Sequence, residues 1–179
     1  QNIRQNIIRN KSKKIIGVSW KTSSLLNHAH LRNIDLATLL KPLKNLDLIF
    51  ANLQYGDVSK EIINLRSEHD IEVLEMPGLD LFSDIDGLAA LISACDCVIS
   101  IDNLTSHFAG ALGVNTMLLL PKVADERWGL EPSKGYLYDS IALYRQSSHN
   151  NWSEPLKKMK ADIENLYLKN LKFYLKDFI

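Results

Sequence analysis

Apolar positions along the chain fall into two patterns, short near-continuous runs and longer segments with apolar residues every three or four positions. The runs are Lys13 to Trp20 (KKIIGVSW), Leu46 to Leu53 (LDLIFANL), Ile71 to Leu74, Val98 to Ile101, Val114 to Leu120 (VNTMLLL) and Ile141 to Tyr144. Val98, Ile99 and Ile101 are β-branched and nearly unbroken, which predicts a parallel strand covered on both faces. Gly17 lies inside the first run, where it allows close backbone approach.

The longer segments read as helices. One is capped near Asp35 and runs through Leu36, Leu39, Leu40 and Leu43; another, Val58 to Ser67, carries Ile62, Ile63 and Leu65 inward. Asp84 to Ala94 opens on an acidic cap and holds Ile85, Leu88, Leu91 and Ile92 at helical spacing. After a polar turn at Asp102, Asn103 and Thr105, a small-residue helix presents Phe108, Ala109, Ala111 and Leu112 as a slim apolar face. Gly113 is its natural stop. Asn151 to Ile179 predicts a long final helix with Ser153 as cap and Pro155 in the first turn. Its later half (Leu166, Leu168, Leu171, Phe173, Tyr174, Leu175, Phe178) is too apolar for a solvated tail, so it packs on its own domain or on something outside this chain.

Three β–α repeats followed by a strand–turn–helix unit predict the α/β class, a Rossmann-like, doubly wound, mostly parallel sheet with a long C-terminal helix. The corresponding divisions are a lead-in over 1–14, the α/β domain over 15–150 and the final helix over 151–179. The chain does not begin with methionine, and the lead-in reads as continuing from a missing N-terminal part.

Composition changes this picture little. A length of 179 residues suits one domain, and 21 basic residues balance 21 acidic ones. A net charge of zero argues against nucleic acid as a main partner, because phosphate backbones demand a basic face. No apolar run approaches a membrane span and no signal peptide is visible, so a cytoplasmic location is expected. Cys95 and Cys97 stand two apart at the start of one strand, where they would share a face as reduced, buried thiols. His28 and His30 lack a third ligand nearby and read as solvated loop residues, so no metal is expected.

Candidate chemistry follows from topology. In an open α/β sheet ligands bind beyond the carboxyl ends of the strands, which places Asp102 to His107 beside a ligand. A lysine near a helix N-terminus can neutralise a diphosphate there, and Lys21 follows the first strand. No Gly-x-Gly-x-x-Gly loop follows that strand and no Walker loop occurs, which counts against dinucleotide and P-loop readings.

The segment Ser100-Ile101-Asp102-Asn103-Leu104-Thr105-Ser106-His107, closing with Gly110-Ala111-Leu112-Gly113, resembles the donor-site signature of GT-B glycosyltransferases. Within them it is most similar to the bacterial tetratricopeptide-linked glycosyltransferases, with heptosyltransferases more distant. The resemblance extends from Ile15 to Trp152, through Trp20-Lys21, Arg32-Asn33-Ile34, Gln54-Tyr55-Gly56, Met76-Pro77-Gly78, and Asp125 with Arg127, Trp128 and Leu130. Asn103 replaces the usual hydroxyl residue, and Thr22 the glycine after the basic residue.

This resemblance implies the C-terminal, donor-binding half of a GT-B fold, using a nucleotide-diphosphate sugar, uridine-linked by likeness to the nearest-looking relatives. It implies that Lys21, Asn103 and Thr105 hold the diphosphate without a bound metal, while Gln54 meets the ribose or base edge. Met76 would reach the base through its main chain, Asp102 would orient the loop or a sugar hydroxyl, and His107 would contact phosphate or sugar. Trp20, Arg32, Arg127 and Arg145 are accessory candidates. Each has a plainer role open to it: a solvated lysine, a half-buried histidine bonded to a carbonyl, or arginines in structural ion pairs. The acceptor (glycan, lipid-linked sugar or protein) and the catalytic base would involve the missing N-terminal domain, so this chain alone would bind donor and transfer little. A non-catalytic nucleotide-sugar-binding or degenerate partner module is the alternative, and a nucleotide-sugar epimerase ranks below it.

Overall fold

The computed structural model describes residues 13–24, 29–131 and 135–176, with side chains described as far as Leu166. The chain folds as an α/β domain around one six-stranded sheet. Its strands are β1 (Lys14–Ser19), β2 (Leu48–Asn52), β3 (Val73–Leu74), β4 (Cys97–Ile101), β5 (Thr116–Leu120) and β6 (Ile141–Arg145), in the order β3-β2-β1-β4-β5-β6. Every neighbouring pair is parallel, so the sheet is wholly rather than mostly parallel.

Strand alternation divides the core. Ile16 and Val18 of β1, with Phe50, Ile99 and Leu119, face α1 (Leu36–Leu40), α2 (Ser59–His69) and α5 (Ser153–Lys176). Ile15, Ala51 and Val98 face the other way, against Leu88, Leu91 and Ile92 of α3 (Ile85–Ala94) and Ala109 of α4 (Leu104–Ala111). Helices on both faces explain why the strands read as unbroken apolar runs. Between β5 and β6 the described chain has no α-helix; a 3-10 turn, Glu126–Trp128, brings Trp128 with Tyr138 over Leu118, Leu120, Ile141 and Leu143.

The caps follow their residue types. The carboxylates of Asp35 and Asp84 accept from the backbone N–H of Thr38 and Gly87, and Gly113 takes a φ of 68° just past α4. Pro42 lacks an N–H, and the chain after α1 tightens into a 3-10 turn over Lys41–Leu43.

Several expectations are corrected. Ile63 is 63% exposed, because Val58, Ile62 and Leu65 already define the inward stripe of α2. Ile85 stands in the open first turn of α3 and is also exposed. The buried face of α4 is Thr105, Ser106, Ala109 and Gly110; Leu112 is exposed and Phe108 only half-buried. Cys95 belongs to the end of α3 and Cys97 to β4, so the two thiols lie on opposite sides of the sheet. Gly17 makes room for side chains rather than backbone, since a Cβ there would stand 2.4 Å from Leu53 Cδ1. Ser153 is the first helical residue of α5, and Asn151 Oδ1 takes its N–H. Leu156, Met159 and Ile163 anchor α5, with the Tyr144 hydroxyl donating to Asp162 at 2.8 Å. The apolar side chains from Leu168 onward lie outside the described residues. Among those described, no helix is long and apolar enough to cross a membrane.

Candidate functional site

The strand order reverses between β1 and β4, and the chain leaves these neighbours toward opposite sides of the sheet. A crevice forms beyond their carboxyl ends by that reversal alone. The first-strand exit (Trp20 to Ser24) and the Asp102–Asn103 turn meet there.

Four buried polar side chains tie the two exits together. Ser100 Oγ donates to Asn103 Oδ1 at 3.1 Å, and Asn103 Nδ2 donates to Ser19 Oγ at 2.8 Å and to the Lys21 carbonyl at 3.3 Å. Gln54 Oε1 accepts from Ser19 Oγ and from the backbone N–H groups of Trp20 and Lys21, both at 2.9 Å. Its Nε2 donates to the Tyr55 carbonyl. Gln54 is 1% exposed, so its recorded contacts are internal and fix the loop that follows β1. Asn33 Oδ1 accepts from the Thr22 N–H, and the Ile34 N–H donates to the Trp20 carbonyl, which binds the Arg32-Asn33-Ile34 segment to the same loop.

Around this network the charges are paired. Glu61 of α2 takes the indole N–H of buried Trp20 at 2.6 Å through one oxygen and the Lys21 ammonium through the other. Arg32 Nη1 donates to both the carbonyl (3.1 Å) and carboxylate (2.9 Å) of Asp102, which is almost fully buried. Arg127 makes a bidentate pair with Asp125 inside its own turn, which raises the guanidinium's pKa and lowers that of the carboxyl. Arg145 Nη2 donates to the carbonyls of Trp128 and Gly129, and burial lowers its pKa.

Asn103 occupies the cap position of α4 without making a side-chain cap bond, because its carboxamide is turned into the network. Thr105 is buried in the first turn, and Ser106 Oγ donates back to the Asn103 carbonyl. Among the described residues no side chain closes the N-terminus of this helix, which leaves its positive end facing the crevice. His107 follows in the same turn. Its ring stacks on Trp128 (centroids 5.1 Å apart, 26° between planes), and Nδ1 lies 3.3 Å from the Tyr138 hydroxyl. Burial holds its pKa below the ordinary value; Asp102 and Asp125 pull it up and Arg127 pulls it down.

Lys21, Asp102, Asn103, Thr105 and His107 thus gather on the exits of β1 and β4, with Trp20, Arg32 and Gln54 supporting them. Met76 stands beyond β3, half-buried against the α3 side of the core, and its carbonyl accepts from the Leu79 N–H. Glu61 and Tyr138 were not among the sequence candidates. They reach the site across 40 and 31 residues. His28 lies outside the described residues. Among those described, no group of three His, Cys, Asp or Glu stands ready to hold a metal ion. A cavity of about 220 Å³, lined by Ile16, Leu48, Asp96, Cys97 and Ile163 among others, opens at the opposite, amino end of the strands.

No known protein-family profile matches the chain. Solved structures match it over nearly its whole length. Heptosyltransferase II of E. coli, described as an ADP-heptose lps heptosyltransferase, superimposes with a TM-score of 0.64 at 15% identity, covering 94% of this chain and 50% of that one. The fold is that of one half of a GT-B heptosyltransferase. E. coli heptosyltransferase WaaC, solved with ADP, matches at a TM-score of 0.53 and 16% identity, over 91% of this chain and 48% of its own. A glycosyl transferase of family 9 from Veillonella parvula gives 0.58 and 13%, over 92% and 49%. In sequence, the chain is 37% identical over 151 residues to protein FlbA of Caulobacter vibrioides, covering 84% of this chain and 25% of FlbA. It therefore spans a quarter of that curated relative and about half of each solved enzyme.

Proposed function

We propose that this domain holds the nucleotide diphosphate of a sugar donor in the crevice above β1 and β4, as the donor half of a glycosyltransferase. The observation that carries the reading is the uncapped N-terminus of α4, aimed at the strand-order reversal, with Lys21 across from it on the β1 exit. First-turn N–H groups and the helix dipole favour an anion there. The likeness of fold to WaaC, a heptosyltransferase solved with ADP, supports a nucleotide diphosphate as that anion.

In this reading main-chain amides of the α4 first turn, with Thr105, hold the phosphate nearest the sugar. Lys21 turns from Glu61 toward the incoming charge, and a flexible ammonium can do so without a fixed plane. Asp102, oriented by Arg32, receives a sugar hydroxyl, and His107 donates to phosphate or sugar. Donors of this kind stabilise charge developing on the departing diphosphate, worth ~3 kcal/mol for one well-placed group in other enzymes. The acceptor and its base belong to a second half of the enzyme.

Calorimetry with ADP, UDP and GDP tests the site. One nucleotide should bind, with affinity lost in Lys21→Ala and His107→Ala; unchanged affinity in both variants would remove it. A second reading is a domain that binds nucleotide sugar without catalysis. It is favoured by Asn103, whose carboxamide is engaged internally where the resembled signature has a hydroxyl, and by the pairing of Lys21 with Glu61. Sugar transfer or donor hydrolysis by a protein containing both halves would exclude it.

A further inference from the structure

Tyr138 and Trp128 together leave the His107 ring little freedom. Trp128 is fully buried, its carbonyl is held by Arg145, and it fixes the imidazole plane by stacking. Tyr138 meets the ring edge-on, with centroids 5.9 Å apart, and presents its hydroxyl to Nδ1. The phenol ring itself lies against the α4 backbone one turn on. A Cβ on Gly110 would stand 2.5 Å from Tyr138 Cγ, so the close approach depends on glycine at 110. The residues between β5 and β6 therefore grip α4 at two points, His107 and Gly110.

The direction of the Tyr138–His107 hydrogen bond follows from chemistry. A phenol is the stronger acid, and an imidazole nitrogen is a better acceptor than a phenolic oxygen. Tyr138 is thus the donor and Nδ1 the acceptor. A neutral imidazole has one N–H, so its proton then sits on Nε2. Among the described residues Nε2 has no hydrogen-bond partner. We propose that Tyr138 is a positioning residue that locks His107 as its Nε2–H tautomer, making Nε2 a hydrogen-bond donor for an anionic oxygen in the crevice. The groups acting on His107 are Asp102, Asp125 and Arg127 besides Tyr138, and burial favours the neutral ring. The donating edge is then present without a protonation step. The proposal rests on the donor-site reading for what Nε2 meets, and not for the tautomer.

Long-range ¹⁵N–¹H spectra of the labelled chain, recorded without ligand near neutral pH, read the tautomer directly. His107 should be Nε2–H in the native protein and a mixture of both tautomers in Tyr138→Phe. Where nucleotide binds, the same variant should weaken it about 5- to 10-fold, the equivalent of one hydrogen bond. A native Nδ1–H ring would overturn the proposal, as would a Tyr138→Phe spectrum identical to the native one. Absence of nucleotide binding alongside the predicted tautomers would count against the donor-site reading alone.

Discussion

The two walls of the crevice are held by different chemistry. On the β1–β4 side, Ser19, Gln54, Ser100 and Asn103 interlock through directional bonds that give the backbone one path. On the β5–β6 side, Trp128, Tyr138 and His107 meet through ring faces and edges, with a single hydrogen bond between them. Trp128 Nε1 and Arg145 Nε are buried there without a hydrogen-bond partner among the described residues. Buried donors left open are costly. The first wall is therefore a frame of directional bonds, and the second is held by the packing of its rings.

The contrast breaks most visibly at Trp128. Trp128→Ala should cost about 3–5 kcal/mol in urea unfolding, since it empties a fully buried site over β5 and β6. A loss below about 1 kcal/mol would mean that this wall is dispensable to the core. Gln54→Ala should come next, at about 2–3 kcal/mol, because the Trp20 and Lys21 N–H groups and the Ser19 hydroxyl lose one shared acceptor. Equal unfolding costs in the two variants would erase the distinction between ring packing and directional bonding.

Glu61→Gln sharpens the comparison from the ligand side. It keeps a hydrogen-bond acceptor for Trp20 but frees the Lys21 ammonium, so nucleotide-diphosphate affinity should rise about two- to fivefold. Unchanged or weaker binding by calorimetry would separate Lys21 from the anion. The smallest expected effect is on pH. His107 titrates below its unfolded value of 6.5, so its contribution to stability is complete above that value and is lost as pH falls toward the lower folded one. Replacing His107 with Gln should flatten the decline in thermal stability between neutral and mildly acidic pH.

What was legible in the sequence was local. Asp35, Asp84 and Gly113 act within four residues of themselves, and each caps where its type says it should. The six strands were legible because helices on both faces demand continuous apolar runs. Ile63 and Ile85 misled because periodicity reports which residues are apolar, whereas burial depends on which face a neighbouring layer covers. The candidate residues around Asp102 converged because strand order dictates where strands end. Their partners were hidden. Nothing near Lys21 announces Glu61, nothing near His107 announces Tyr138, and Gln54 reads equally well as a ligand contact or as the clasp that the structure records.

Cys95 and Cys97 are the only cysteines in the chain, and both are buried on opposite sides of the sheet. Burial pushes the Cys97 thiol up to about 12, far from the thiolate needed for alkylation. The native surface is therefore silent to maleimides. A single cysteine introduced at exposed Leu130, beside the aromatic wall, would carry a fluorophore alone and report the distance from that wall to a probe on the donor.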